Sequence, residues 1–171
     1  VFNSADAVIL DSSFLQTLDS QNIRSGYAEM LKHGLISDNH HWSELINYDL
    51  SKPDLSSLGN LIKTSVKIKE DIVNSDPFES GIRKALNFGH TIGHAIEKAM
   101  NFELLHGECV ALGSVAAAYI SWKKNYISMD EYYDFIIGMD SANMRNINRI
   151  IGYDKDNKTH KLLTFAHLDR D

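Results

Sequence analysis

The chain has 171 residues, of which 43% are hydrophobic and 23% charged, and its formal net charge is −6. This length suits one domain with a substantial core, so we predict a single domain over residues 1–171. A net negative charge without a basic stripe argues against nucleic acid as a partner, because neutralising phosphates takes clustered Lys and Arg. A small anionic ligand is not excluded, since it needs only a few well-placed cations.

The lone cysteine and the apolar run around it favour the cytoplasm as the location of this chain. Cys109 is the only cysteine, so it forms no internal disulfide, and we predict a small buried residue. A reducing compartment fits this best. The run CVALGSVAAAYISW, residues 109–122, is too short to span a bilayer, and we predict a buried helix and no membrane association.

Periodicity predicts a mainly α fold with one short strand near the N-terminus. In chain order the predicted elements are a strand at 7–10, a turn of helix in SSFLQTL, a helix at 23–36, a loop at 47–57 with Ser or Asp available as a cap, a helix at 57–73, a turn at 74–81, and helices at 89–100, 107–122, 129–139 and 142–151. The strand AVIL has no earlier partner. We therefore expect the chain to be a fragment of a larger protein whose missing part lies upstream.

Two histidines lie one helical turn apart in LNFGHTIGHAIE. In the predicted helix the core stripe consists of Ile92, Ala95, Ile96 and Ala99, and the opposite face carries His90, Gly93, His94 and Glu97. A solvated polar face is the simplest interpretation. However, Gly93 costs a helix roughly 1 kcal/mol relative to Ala. Glycine at that position lets another group approach closely, which favours a functional face.

His106 comes directly before GECVALGSVAAA, at the start of the predicted buried helix. The positive end of a helix dipole disfavours imidazolium. Neutral imidazole is the form that binds a metal ion. Taken alone, however, a capping role explains this position better than a metal site does.

Lys69 is the one charge on the apolar stripe that runs through 58, 61, 62, 65, 66, 69, 72 and 73. Burying an ammonium group without a partner is costly. Two explanations stay open. The side chain either snorkels at the edge of the stripe or reaches into a site to meet an anion.

Two further polar pairs have ordinary explanations when periodicity alone is considered. Glu29 and Lys32 in GYAEMLKHG share a helix face at i, i+3, which predicts a surface ion contact worth about 0.2–0.5 kcal/mol. Arg83 and Asn87 lie one turn apart in SGIRKALNFGH, next to the histidines. By themselves they predict an exposed pair.

Three segments together resemble the 3-dehydroquinate synthase family: GYAEMLKHG, VKIKEDIVNSDPFESGIRKALNFGHTIGHAIE and LLHGECVALG, in that order and with matching spacing. The resemblance covers roughly residues 1–125. LNFGHTIGHAIE followed by LLHGE is far more specific than an isolated HxxxH. The resemblance implies the helical C-terminal domain of that fold, with the α/β nucleotide-binding domain absent from this chain.

The resemblance also implies a role for each site residue. A divalent metal, zinc or cobalt, would be held by Glu29, His90 and His106, whereas His94 matches a position that lines the substrate pocket. The other matching substrate-binding or catalytic positions are Lys32, Lys69, Glu79, Arg83, Asn87 and Lys155. Asp156 stands where the family has a second lysine, and the segment before Tyr153 is shorter than in the family. Lys155 is therefore the weakest match.

The implied reaction converts 3-deoxy-arabino-heptulosonate 7-phosphate to 3-dehydroquinate and phosphate, in the shikimate pathway to chorismate and the aromatic amino acids. NAD, bound mainly by the upstream domain, oxidises a ring hydroxyl, which acidifies the neighbouring carbon for phosphate elimination. Reduction, ring opening and an intramolecular aldol step follow. The full-length enzyme is expected to be a cytoplasmic homodimer, and this chain alone to be inactive.

Three alternatives remain open after the resemblance. A related sugar-phosphate cyclase, such as a 2-deoxy-scyllo-inosose synthase, would share the metal site and take another substrate. A polyol dehydrogenase of related architecture fits less well, because its first ligand is usually aspartate and here it is Glu29. A non-catalytic helical module with a residual metal site would not need Lys69, Arg83, Asn87 and His94.

Overall fold

A computed structural model of the chain describes residues 6–142, 153–154 and 159–160. The helices are α1 (Ser20–Ser37), α2 (Asn39–Asn47), α3 (Leu55–Ser75), α4 (His90–Ala99), α5 (His106–Lys123) and α6 (Met129–Ser141), with 3₁₀ helices at Ser12–Thr17 and Ile82–Asn87 and strands β1 (Tyr153–Asp154) and β2 (Thr159–His160). This mainly helical fold agrees with the predicted class. The helix predicted at 142–151 and the site residue Lys155 lie outside the described residues.

An aspartate begins each of the first three α-helices. The carboxylates of Asp19, Asp38 and Asp54 accept hydrogen bonds of 2.7–3.3 Å from backbone N–H groups of the first turn. Such caps satisfy donors that have no partner within the helix. Asp54 confirms the predicted cap of the helix that follows the 47–57 loop.

Helix α5 lies at the centre of the fold and contacts α1, α4 and α6. Cys109 and Val110 have no exposed surface, and Leu31 of α1 and Ile136 of α6 are equally buried beside this helix. The prediction of a buried helix with an inert cysteine is therefore confirmed. None of the helices in the described part of the chain has the length and apolarity needed to cross a membrane.

The strand predicted at residues 7–10 is not present in the structure. Val8 and Ile9 are 71% and 93% exposed, and the segment adopts neither helix nor strand. Among the described residues, strand pairing occurs only between Tyr153–Asp154 and Thr159–His160. A strand is stable only when its backbone groups pair with a neighbour, and AVIL has none here.

Helix α3 buries a slightly different face from the predicted one, because it packs on α2, a helix that periodicity did not indicate. Ser65 and Ile68 are buried, whereas Val66 is 37% exposed. The Ser65 hydroxyl lies 2.8 Å from Nε2 of His41, a residue of α2 that is 1% exposed. Ser65 belongs to the predicted stripe, so the difference from the prediction lies in Ile68, which is buried, and in Val66, which is exposed.

Helix α4 also buries a different face from the predicted stripe. Ala95 and Ala99 are exposed, while Gly93 and Ile96 are buried against α5. A Cβ atom on Gly93 would lie 2.9 Å from the carbonyl oxygen of Cys109. The close approach predicted at Gly93 is therefore real, and the group that approaches is the backbone of α5.

Candidate metal centre

Three helices bring the predicted metal ligands together. Glu29 lies in the middle of α1, and His90 and His106 are the first residues of α4 and α5. Nε2 of His90 is 3.6 Å and Nε2 of His106 is 3.9 Å from Oε1 of Glu29. One potential ligand atom from each of the three residues lies within 4.8 Å of the others.

Backbone contacts at glycines fix the relative position of these helices. Gly89, directly before His90, has φ of 78°, a left-handed conformation that glycine adopts without steric cost. A Cβ atom on Gly113 would lie 2.0 Å from the carbonyl oxygen of Gly89. At the other ligand helix, the N–H of Gly107 donates to the Ser25 hydroxyl of α1 at 3.0 Å, which ties His106 to the helix that carries Glu29.

A hydrogen bond beside the triad leaves the Nε2 atom of His90, which faces Glu29, without a proton. Nδ1 of His90 lies 3.2 Å from the carbonyl oxygen of Phe88 and must donate to it, which leaves the lone pair of Nε2 directed at Glu29. Burial lowers the pKa of His90, so the ring is neutral near pH 7. Oε1 of Glu29 is buried and has no hydrogen-bond partner. Acceptors that face one another in this way form a suitable site for a cation.

The geometry fits a zinc ion with little adjustment. Two ligands at about 2.0–2.1 Å from a tetrahedral zinc lie roughly 3.3 Å apart, slightly less than the 3.6 and 3.9 Å found here. Three protein ligands also leave a coordination position open, which is typical of catalytic rather than structural zinc. The residues therefore suit a catalytic divalent ion, and their role as ligands stays a prediction.

A second group of three candidate ligands shares His106 with the first and consists of His94, Glu97 and His106. In this group the carboxylate already has partners, since Oε2 of Glu97 lies 3.0 Å from Nδ1 of His94 and Oε1 lies 3.5 Å from Nδ1 of His106. The hydrogen bond from His94 is also the main reason that the pKa of Glu97 is lowered. We therefore infer that Glu97 orients the two rings and that Glu29, His90 and His106 form the ion site.

Lys32 lies deeper than the surface ion pair that periodicity predicts. It is 5% exposed, and its ammonium group is 2.6 Å from Oε2 of Glu29. Burial lowers the pKa of Lys32. For Glu29, burial opposes ionisation, but the hydrogen bond and positive charge of Lys32 outweigh it and lower the pKa of the carboxyl group. The pair stays ionised because each charge compensates the other.

A cleft of about 200 Å³ opens beside the triad. It is lined by Glu29, Lys32, His33, Lys69, Glu79, Arg83, Leu86, Asn87 and His90. The cleft thus holds three side-chain cations against two carboxylates. His94 is not part of this lining, and its side chain is 59% exposed next to the triad. A larger groove of about 630 Å³ between α1 and α3 contains none of the predicted site residues.

Lys69 reaches this cleft from α3, which agrees with the second of its two explanations. The residue is exposed, and among the described residues no carboxylate lies within ion-pair distance of it. By contrast, Lys67 on the outer face of α3 pairs with Glu70 and Asp71. An unpaired ammonium group at the edge of a cleft is available to an anionic ligand.

The remaining predicted residues lie on the segment between α3 and α4. Nδ2 of Asn87 donates to Oε1 of Glu79 at 2.5 Å, and Nη1 of Arg83 donates to the carbonyl oxygen of Pro77 at 2.8 Å. Glu79 has φ of 57°, which is unusual for a residue other than glycine. The segment therefore has a defined conformation, and it places an acid, an amide and a guanidinium on one wall.

Sequence reasoning missed two residues of this region, Glu97 and His33. Glu97 was placed on the histidine face without a role, because no sequence pattern gives its distance to His106. His33 is 6% exposed, neither ring nitrogen has a hydrogen-bond partner, and burial lowers its pKa to about 4. No sequence pattern pointed to its burial, because the adjacent Lys32 was itself predicted to lie at the surface.

Comparison with known proteins identifies the family of this chain. A family model described as 3-dehydroquinate synthase C-terminal matches residues 26–170. The 3-dehydroquinate synthase of Parabacteroides distasonis is 42% identical over 88% of this chain and 46% of its own length. That of Acetivibrio thermocellus is 47% identical over 64% of this chain and 31% of its own length. The chain thus spans less than half the length of these relatives.

A solved structure resembles the fold. It is a 2-epi-5-epi-valiolone synthase from Streptomyces hygroscopicus subsp. jinggangensis with NAD⁺ and Zn²⁺ bound, and it superposes with a TM-score of 0.68 over 78% of this chain and 38% of that protein, at 24% identity. At this identity the likeness establishes the fold only. The family model and the curated relatives carry the assignment further, and the chain belongs to the 3-dehydroquinate synthase family as its C-terminal domain.

Proposed function

We propose that this chain provides the metal- and substrate-binding part of a 3-dehydroquinate synthase, which converts 3-deoxy-arabino-heptulosonate 7-phosphate to 3-dehydroquinate and phosphate. The observation that carries the proposal is one cleft in which Glu29 and His90 of the candidate metal triad lie beside three side-chain cations. The substrate carries both a carboxylate and a phosphate, and clustered Lys and Arg bind such groups. The curated relatives, which all bear the same enzyme name, support this substrate.

The residues of the cleft divide the work of substrate binding. Arg83 offers a planar donor fork that suits a carboxylate or phosphate, and the free ammonium group of Lys69 adds a second positive charge. Lys32 keeps Glu29 ionised and so holds the triad in its binding form. The Glu79–Asn87 pair provides acceptors and donors for the substrate hydroxyls.

Glu29, His90 and His106 would hold the divalent ion, with zinc or cobalt as candidates. When bound, such an ion supplies Lewis acidity for the oxidation of a substrate hydroxyl. His90 keeps Nε2 free of a proton through its Nδ1 hydrogen bond to Phe88. The carboxylate of Glu97 would keep His106 in the matching tautomer.

NAD is the proposed hydride acceptor, and the cleft residues are not assigned to it. No glycine-rich turn between a strand and a helix, the usual cradle for a dinucleotide, occurs in the sequence. We therefore propose that the cofactor is held mainly by a nucleotide-binding domain outside these 171 residues. A homodimeric, cytoplasmic enzyme is part of the same proposal.

A second candidate is a related sugar-phosphate cyclase with the same metal site and another substrate. The fold of the valiolone synthase structure supports this class. The higher identity of this chain to the 3-dehydroquinate synthases, 35–47%, favours the first candidate.

The deciding experiment assays the complete gene product that contains these residues, supplied with NAD and zinc. We expect phosphate release from 3-deoxy-arabino-heptulosonate 7-phosphate, loss of activity after chelation, and recovery with zinc. Release from glucose 6-phosphate instead would favour the inosose type of cyclase. Activity that persists without any divalent ion would contradict the proposed role of the triad.

The 171-residue chain alone offers a complementary test. We expect it to bind zinc but to show negligible NAD affinity in calorimetry and no phosphate release. Measurable turnover by this chain would mean that the hydride acceptor binds within it, contrary to the proposal.

A further inference from the structure

The carboxylate of Asp76 is the centre of the segment that follows α3. Asp76 is 8% exposed. Oδ2 accepts hydrogen bonds from the N–H of Gly81 at 2.7 Å and of Arg83 at 3.1 Å, and Oδ1 accepts from the N–H and hydroxyl of Ser80 at 2.9 and 3.2 Å. These hydrogen bonds, with Gly81 first, hold the pKa of Asp76 at about 2, so the group is ionised at any working pH.

This arrangement folds the chain into what we call the Asp76 loop, residues 76–83. The four donors come from three residues spread over one turn, and a single carboxylate gathers them. Within the loop, Glu79 adopts its left-handed backbone conformation, and its N–H donates to the carbonyl oxygen of Asp76 at 3.2 Å. A strained residue of this kind persists only where surrounding contacts hold it.

Two of the residues that line the cleft belong to the Asp76 loop. Glu79 directly precedes the donors that Asp76 binds, Arg83 is itself one of them, and both residues line the cleft. Their own side chains bond to Asn87 of the 3₁₀ helix and to the carbonyl oxygen of Pro77. The position of this wall therefore depends on the loop conformation, and the loop conformation depends on Asp76.

We propose that Asp76 is a positioning residue, which presets Glu79 and Arg83 for an anionic substrate without touching that substrate. The inference rests on the proposed function, because it takes the cleft to be an anion site. We expect Asp76 to affect only the part of the cleft around Glu79 and Arg83. The metal triad should be unaffected, because its residues lie on other helices.

The test compares Asp76→Asn with Asp54→Asn in the 171-residue chain. Asp54 is a matched control, because it binds a backbone N–H at the opposite end of the same helix, and its carboxylate lies away from the cleft. The metal-free chain is titrated with inorganic phosphate, zinc affinity is measured separately by chelator competition, and thermal unfolding is recorded for both variants.

We expect Asp76→Asn to weaken phosphate binding roughly tenfold or more, because charge-assisted hydrogen bonds are lost. Zinc affinity should stay unchanged, and Asp54→Asn should leave both affinities intact even where it lowers the unfolding temperature equally. Equal phosphate affinity in the two variants would overturn the proposal.

Amide hydrogen exchange separates this inference from the proposed function. If the unsubstituted chain binds no phosphate, the anion cleft and the proposed function fail. Exchange at Ser80, Gly81 and Arg83 still decides whether Asp76 holds the loop. Faster exchange at these amides in Asp76→Asn supports its hold on the loop, and identical exchange in both chains refutes it.

Discussion

The candidate site has two parts, named after their proposed functions: the metal end, formed by Glu29, His90 and His106, and the anion end, around Glu79 and Arg83. The two ends are built from different kinds of structure. At the metal end, His90 and His106 begin two helices whose backbones touch at Gly113. At the anion end, Glu79 and Arg83 belong to a loop and a 3₁₀ helix that side-chain hydrogen bonds hold. Helical packing thus fixes the positions of the side chains at the metal end, and a local network of hydrogen bonds fixes those at the anion end. We expect substitutions to affect metal affinity and substrate turnover separately.

The largest effect is expected at the metal end, on substitution of His90 by Ala. Zinc affinity should fall by far more than the roughly 10–100-fold lost when a residue that hydrogen-bonds to a metal ligand is removed. His94→Ala is the matched variant and should stay below that range, because His94 is placed outside the ion site. Zinc competition with a chromophoric chelator measures both. If His94→Ala proves the more damaging, the ion lies among His94, Glu97 and His106 instead.

Lys69→Met should distinguish the two ends most clearly, because we expect it to lower substrate turnover without lowering zinc affinity. In the complete gene product we expect kcat/KM to fall about a hundredfold or more, since a hydrogen bond to a charged group contributes up to about 3 kcal/mol. Zinc affinity and the unfolding temperature should be unchanged. Lys67→Met is the control. It removes an exposed ammonium group about half a turn away on α3 and should keep full activity. Full activity of Lys69→Met would mean that the side chain merely snorkels.

The next prediction concerns the stability of helix α1, which carries Glu29 at the metal end and also the buried residues Lys32 and His33 of the cleft. The folded-state pKa of His33, about 4, lies below the value of about 6.5 expected for the unfolded chain. Between these values the unfolded state binds the extra proton, so the free energy of unfolding should fall as pH decreases from about 6.5 to about 4, by up to roughly 3 kcal/mol.

His33→Phe removes this titration, so urea unfolding of the zinc-free variant should depend less steeply on pH. Burial also lowers the pKa values of His41 and His90, and these residues will retain part of the slope. The exposed His40→Phe serves as control. An unaltered slope in His33→Phe would show that His33 is already protonated or solvated in the folded chain.

The smallest effect is expected for Glu97→Gln. The amide keeps the shape of the side chain but no longer favours the tautomer that directs Nε2 of His106 at Glu29. Zinc affinity should fall about 10–100-fold, as is typical for an orienting carboxylate. Glu103→Gln, at an exposed position beyond α4, is the control. A complete loss of zinc binding would instead identify Glu97 as a direct ligand.

Much of the helical fold was predictable from periodicity and caps. The presence of α1, α3, α5 and α6 was predicted with bounds within three residues of those observed, α3 from its apolar repeat of period 3.6 and α5 from its continuous apolar run. Helix α2 was missed because NHHWSELIN has a polar first turn. The burial of His41 in that turn depends on its contact with the Ser65 hydroxyl, which the local sequence does not reveal. The strand at 7–10 was wrong, since pairing depends on a neighbour that a local pattern cannot reveal.

The site was predictable in part. The resemblance implied Glu29, His90 and His106 together, and the structure brings their candidate ligand atoms within 4.8 Å of one another although two α-helices and a 3₁₀ helix separate Glu29 from His90 in the chain. The burial of Lys32 was not predictable, because i, i+3 spacing describes equally well a surface pair and a buried one. The Glu97 contacts and the Asp76 loop were also missed, since both depend on distances and not on residue order.

The backbone contacts around His106 and His90 have a consequence for protein engineering. A Cβ atom on Gly107 would lie 1.8 Å from the Ser25 carbonyl oxygen, and one on Gly113 would lie 2.0 Å from that of Gly89. The spacing of the ligand helices is therefore set by peptide groups at closest approach, and side-chain repacking has no room to adjust it. If Glu29 is a metal ligand as proposed, selectivity for ions of different radius would have to be changed at this residue, where Glu29→Asp shortens the side chain while the helices stay in place.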